Sequence, residues 1–252
     1  MKRHLGIAVV LLAVVVGVML TPRLPQDPSY HDFADQRTIA GIANALDVLS
    51  NVPFAFVGAW GLVVTFRRRT RFDHPWERWP YAALFTGSAL TAIGSSYYHL
   101  APDNARLVWD RLPMTIGFMG FLAATIAERF SVRAARVSFV PLLVFGAVSV
   151  AYWHWTEQQG VGDLRPYVLV QFGSLLTIML MLVLYPPRYS HTSLIFYGVA
   201  AYALAKVFEL GDRQIFAMGH LVSGHALKHL SAAVGVAFLV AAVSRRHPER
   251  RG

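Results

Sequence analysis

Gly219-His220-Leu221-Val222-Ser223-Gly224-His225-Ala226-Leu227-Lys228-His229-Leu230 opens the last apolar segment of the chain, and two histidines within it decide how the rest is read. His225 and His229 are four apart, so on a helix they stack on one face, one turn above the other. Two neutral imidazoles in that geometry can grip one metal ion. In a soluble helix such a pair is usually a solvated coincidence. Here the segment runs on as Ser231-Ala232-Ala233-Val234-Gly235-Val236-Ala237-Phe238-Leu239-Val240, and histidine in such a setting is costly and tends to mark function. A metal site then requires a third ligand at the same depth.

The composition is that of a multi-pass membrane protein. Of 252 residues 55% are hydrophobic and 15% charged, which makes one bundle. The net charge of +9 would suggest nucleic acid in a soluble protein, but the basic residues cluster in short loops and read as topology. With no cysteine, disulfides, thiolate nucleophiles, Cys-ligated zinc and iron–sulfur clusters are excluded. His, Asp and Glu remain for any metal.

Eight apolar stretches stand out at about 5–20, 42–66, 80–100, 112–127, 137–153, 167–185, 193–208 and 221–244, measured against the roughly 20 residues of a spanning helix. The expected fold is therefore all-α: a multi-pass membrane bundle with a seven-helix core and one extra N-terminal helix. Residues 1–22 read as a retained signal-anchor-like helix, for want of a small-x-small cleavage site before Pro22. Residues 30–244 form the membrane domain and 245–252 a basic cytoplasmic tail. Arg67, Arg68, Arg69, Arg71 and Arg78 crowd one loop, and Arg129, Arg133 and Arg136 another. Arg188, then Arg245, Arg246, Arg250 and Arg251, and Lys2 and Arg3 at the other end complete that side. The intervening loops are poorer, with Arg23, Arg37, Arg106, Arg111, Arg165 and Arg213. The positive-inside rule puts both termini in the cytoplasm.

Depth then supplies the missing ligand. The stretch ending Gly94-Ser95-Ser96-Tyr97-Tyr98-His99-Leu100 runs outward, so His99 lies at its outer end with Ser95 one turn deeper on the same face. The next helix enters from outside through Trp109-Asp110-Arg111-Leu112-Pro113-Met114, which sets Asp110 at the same level. The last helix also enters from outside and carries His225 and His229 in its outer half. Three imidazoles with a solvent position make a catalytic zinc pattern, which provides hydroxide near neutral pH. Asp110 can take the proton of that water and hand it to a leaving group. Ser95 can hydrogen-bond the developing oxyanion. A Ser–His nucleophile would leave the paired histidines idle, and histidines four apart cannot face both sides of one porphyrin.

Plainer readings stand beside these. Ser95, like Gly94 and Ser96, suits helix packing, and Asp110 before Leu-Pro suits an N-cap. His220 reads as an interfacial residue or second donor, and His74, His154, His191 and His247 as solvated loop residues. Lys206 and Glu209, three apart, suit an ion pair. Lys228 falls on another helix face than the histidines and suggests no role beyond snorkelling or pairing. Trp76, Trp79, Tyr97, Tyr98, Trp109, Trp153 and Trp155 read as interface anchors. Met179 and Met181 read as lipid-facing or packing surface.

Taken together, Ser95-x-x-x-His99, Asp110 in Trp-Asp-Arg-Leu-Pro-Met, and Gly-His-Ala-Leu-x-His at 224–229 resemble the alkaline ceramidase family. That family belongs to the seven-helix superfamily that includes the adiponectin-receptor-like proteins. Ser50-Asn51-Val52-Pro53-Phe54 resembles its first core helix, and the resemblance covers about residues 32–230. It implies zinc held by His99, His225 and His229, water activated by Asp110, and Ser95 assisting at the oxyanion. It also implies hydrolysis of a ceramide-like N-acyl lipid to a free fatty acid and a sphingoid base, and the depth reading puts that active site near the outer face. The expected partners are a membrane lipid substrate and the bilayer, without nucleic acid. Two other classes remain open: a receptor or lipid-binding protein of the same superfamily with a structural zinc, and a transporter using the polar cluster as an ion path. No pair of broken helices of the transporter kind is evident.

The resemblance also implies a calcium site, which this chain alters. Asp32-Phe33-Ala34-Asp35-Gln36-Arg37, with Asn44 and Asp47 beyond, matches the family's acidic cluster at Asp32 and Asp35. Arg37 falls where an Asn ligand is expected and Asn44 where a Glu is. Calcium prefers six to eight oxygens, and a guanidinium among them would repel it. Arg37 is expected to replace the ion with a planar fork to Asp32, Asp35 or Asp47. A solvated loop arginine is the plain alternative.

Overall fold

The computed structural model describes residues 2–249; Met1 and residues 250–252, with the expectations placed on Arg250 and Arg251, lie outside them. The chain folds as helices α1 (Lys2–Leu20), α2 (Ala45–Leu49), α3 (Val52–Phe66), α4 (Arg78–Leu100), α5 (Asn104–Arg129) and α6 (Val132–Gln158). Then come α7 (Arg165–Val168), a π-helical turn (Leu169–Gly173) continuing into α8 (Ser174–Leu184), α9 (Thr192–Leu210), α10 (Asp212–Ala217) and α11 (Gly224–Arg245). No strand occurs among the described residues.

Five spans are apolar and long enough to cross a membrane: Ala45–Phe66, Val132–Gln158, Arg165–Leu184, Thr192–Leu210 and Gly224–Arg245. The eight stretches thus reappear as helices, but α4 and α5 are too polar to count among these five, and the apolar part of α1, Ala8–Leu20, is too short. α4 lies between α3 and α5, and α5 between α4 and α6. Past its first turns α5 is enclosed by its neighbours and needs no lipid-soluble face, while α4 keeps a narrow one of Leu90, Ile93 and Tyr97. At the periphery α6 turns Val137, Val140, Val144 and Val148 outward, a stripe of branched side chains suited to acyl chains. On the opposite flank α11 packs on α9 and α3. The molecule is a helical membrane bundle.

The α4–α5 seam is held by small residues. A Cβ on Gly94 would stand 1.9 Å from the Trp109 carbonyl oxygen, and one on Gly87 would stand 2.4 Å from the Gly117 nitrogen. Only glycine admits so close a backbone approach. Pro113 sharpens this: it lies inside α5 and cannot donate to the carbonyl four residues back. That carbonyl belongs to Trp109, the one facing Gly94.

Several readings change here. α5 begins at Asn104 with Asp103 as its N-cap, accepting from the Arg106 N–H at 2.7 Å. Asp110 therefore sits in the second turn, and its capping role falls away. Apolarity marked where lipid begins, whereas the helical ladder needs no apolar residue to start. Arg111, read as a loop residue, is likewise in the helix and 5% exposed. Trp153 and Tyr98, read as interface anchors, are buried among neighbouring side chains. His154 lies in α6, where it contacts Gln158. His74 caps the short 3-10 turn Pro75–Glu77. Arg246, assigned to the tail, folds back, buried, onto Glu128 and over the ring of Tyr189. Where a carboxylate lay within reach, pairing won over solvation.

Candidate metal centre

His99 from the last turn of α4 and His225 and His229 from the first turns of α11 meet inside the bundle. One ring nitrogen from each lies within 4.8 Å of the others, and all three residues are buried. Backbone capping aims the α11 pair. Ser223 is the N-cap and accepts from the Ala226 N–H at 3.0 Å. Asp212 accepts the His225 N–H at 2.7 Å through Oδ1, a charge well suited to a helix N-terminus. Its other oxygen accepts from the Ala34 N–H at 3.0 Å. That bond ties the segment before α2 across the site, so that the Phe33 ring lies 4.7 Å from His99 and 4.5 Å from His225 between centroids. Phe33 is itself buried and covers the imidazoles on that side.

From α2 come supports that spacing did not reveal. The Ser50 hydroxyl lies 2.8 Å from Nδ1 of His229. Asp47, fully buried, accepts from the Ser223 hydroxyl at 3.1 Å. Its Oδ2 finds no hydrogen-bond partner among the described residues. Asn44 donates to the His99 carbonyl at 2.8 Å. The signal available was Asp-x-x-Ser at the head of an apolar run. Without the fold nothing attached it to a histidine 179 positions away.

The donor set fits zinc. Nδ1 of His99 is buried with no hydrogen-bond partner among the described residues, a costly state for an imidazole that coordination would relieve. Three neutral imidazoles without thiolate suit zinc.

Ser95 and Asp110, expected beside the histidines, line one cavity with His229. The Ser95 side chain lies beside the Asp110 carboxylate. His225 instead faces a second cavity, lined by Phe33, Asp212 and Arg213. A third cavity, apolar, shares Phe54, Thr91, Met114, Tyr202 and Ala232 with the first and continues it between α5, α8 and α9 along Phe118, Leu175 and Val199. Lys206 and Glu209 pair, and Lys228 joins them, its Nζ 2.9 Å from Glu209 Oε1 and 3.2 Å from His225 Nε2. Lys228 thus touches one of the histidines it was set apart from.

The acidic stretch is consumed by side chains. Arg37 forks onto Asp35, Nε to Oδ1 and Nη2 to Oδ2 both at 2.7 Å, and donates also to the Leu221 carbonyl at 2.9 Å. The arginine holds the Asp35 carboxyl below its ordinary range. Asp32 pairs with Arg213 at 2.5 Å and accepts from Gln36. Of the three partners considered for Arg37, geometry selects Asp35. His220 is exposed in the turn before α11 at φ 53° and does not reach the centre.

Fold and site define a polytopic helical membrane protein with a buried three-histidine centre on the wall of a cavity that runs on into an apolar one. The family model described as Ceramidase matches residues 30–249. The chain belongs to the ceramidase family, hydrolases of the ceramide amide bond. Neither curated proteins nor solved structures gave a match.

Proposed function

We propose that this protein is a zinc-dependent membrane amidohydrolase that cleaves a ceramide-like N-acyl lipid to a free fatty acid and a sphingoid base. The observation that carries the reading is the three-histidine cluster beside a cavity walled by His229, Asp110 and Ser95. Zinc bound by His99, His225 and His229 would supply Lewis acidity toward the scissile carbonyl and a hydroxide nucleophile near neutral pH. Asp110 takes the proton from the attacking water and delivers it to the amine nitrogen as the C–N bond breaks. Ser95 donates to the carbonyl oxygen as it gains charge. Phe33 keeps bulk water from that side of the histidines, and the apolar cavity receives the acyl chain from the bilayer. The cavity against His229 supports catalysis over a purely structural metal.

In this reading Arg37 occupies the place of the family's calcium ion. Both termini are cytoplasmic, the metal lies toward the outer face, residues 1–22 are a retained anchor, 30–244 the catalytic domain and 245–252 a cytoplasmic tail. The support is the alternation of Arg-rich and Arg-poor loops.

Purified protein should carry about one zinc per chain and release fatty acid from ceramide until chelated. His225→Ala or His229→Ala should lose the metal. Asp110→Asn should keep it and lose activity by about 100-fold or more, the scale of general acid–base catalysis. Hydrolysis by Asp110→Asn at the wild-type rate would refute the mechanism.

A further inference from the structure

Arg111 follows the proposed proton carrier in sequence, yet nothing in the hydrolytic scheme uses it. It is 5% exposed, and no carboxylate lies within ion-pair distance of it among the described residues. Its Nη2 donates to Gln26 Oε1 at 2.6 Å, while Nη1 is buried with no hydrogen-bond partner among the described residues. Three aromatic rings surround the guanidinium carbon, Trp153 at 4.2 Å, Tyr167 at 4.9 Å and Tyr30 at 5.6 Å. Cation–π attraction steadies the charge there but leaves its hydrogen-bonding capacity unspent. Asp110 acts on Arg111 only through space, and a guanidinium drawn out of water without a hydrogen-bonded anion is expensive, so a ligand that brings one would recover much of that cost.

Arg111 also lines the cavity of Ser95, Asp110 and His229, and Lys206 and Lys228 line it too. The two lysines share one carboxylate, Glu209. Arg111, Lys206 and Lys228 on this wall face Asp110 and Glu209, so its cations outnumber its anions. The other arm of the space is apolar. An amide at the histidine centre with its acyl chain in the apolar arm therefore directs its amine substituent to the cationic arm.

We propose that Arg111, backed by Lys206 and Lys228, binds an oxyanion on the amine part of the substrate, so that the preferred substrates are N-acyl lipids with a carboxylate or phosphate head. This rests on the amidohydrolase reading and adds a head-group preference to it: ceramide itself has a neutral head, and an anionic head would be handled better. The planar guanidinium provides the fork, and the lysines provide point charges whose reach tolerates either oxyanion.

The test uses neutral and anionic partners, the first pair nearly equal in shape. N-palmitoylglycine is compared with N-palmitoylglycinamide, and N-palmitoyl-O-phosphoethanolamine with N-palmitoylethanolamine. Each is assayed for kcat/KM on the zinc-loaded enzyme and for Kd on Asp110→Asn, where turnover is suspended. Wild type should favour the anionic member of at least one pair by about tenfold or more, the scale of charge-assisted hydrogen bonding. The pair with the larger ratio identifies the oxyanion. Arg111→Gln should collapse that ratio toward unity and Arg111→Lys should keep part of it. Equal or better handling of the neutral members by wild type overturns the proposal, and needs no variant to fold. So does an Arg111→Gln protein that loses both members by one factor, which makes Arg111 a packing residue. Should no amide be cleaved, the amidohydrolase reading fails, while the Kd ratios still decide whether the oxyanion site exists.

Discussion

The hydroxyl of Ser50 and Nδ1 of His229 lie 2.8 Å apart, and the serine's other contact fixes the direction of that bond. Ser50 Oγ is also 3.0 Å from the Asp47 carbonyl oxygen, which can only accept. The single hydroxyl proton therefore goes to Asp47, and Oγ accepts from the imidazole N–H. His229 is thereby held as its Nδ1–H tautomer, with the lone pair of Nε2 free for a metal.

Ser50→Ala should remove that control while leaving all three imidazoles in place. Outer partners of metal-bound histidines are worth roughly 10- to 100-fold in affinity. Competition with a calibrated zinc chelator should report a loss in that range. Unchanged affinity would mean that the bundle alone orients the ring.

Gly94→Ala tests the seam that brings Asp110 to Ser95. A methyl group there would meet the Trp109 carbonyl oxygen at 1.9 Å, so α4 and α5 must separate. Overpacking of this kind typically costs about 1–3 kcal/mol. Activity should fall by more than the loss of thermal stability explains, because Asp110 is the next residue after Trp109. Wild-type kinetics in a folded Gly94→Ala protein would show that the spacing is not critical.

Arg37 makes a prediction about ions and pH together. Activity should be indifferent to calcium and to calcium-selective chelation. Arg37→Asn should lower Tm by a few degrees, with recovery when calcium is supplied. The Asp35 carboxyl is held low by the arginine. Its contribution is therefore fully present above the ordinary carboxylate value of about 4 and is lost as pH falls through the lowered folded value. Melting curves should fall off below about pH 4, and less steeply in Arg37→Asn. Calcium-dependent activity of the wild type would overturn the substitution and leave the zinc assignment intact.

Topology is checked with reporters. One fused at the C-terminus should lie in the cytoplasm, and one inserted near Gly160, in the loop after α6, should lie outside. Both on one side would remove the basis for placing the centre at the outer face.

The helical bundle, and the meeting of His99 with His225 and His229, followed from the sequence because each rests on local rules: apolar length, spacing along one helix and alternation of loop charge. Where polar residues went was decided only by packing. Asp103 rather than Asp110 caps α5, since a helix can begin in polar sequence well before it reaches lipid. Arg111, Trp153 and Arg246 are buried because neighbouring helices and loops close over them, which no property of those residues announces. Ser50, Asp47 and Asp212 join the histidines across as many as 179 positions of chain. Contacts of that range have no periodicity to betray them, and the fold alone sets the distances and hydrogen-bond directions on which they depend.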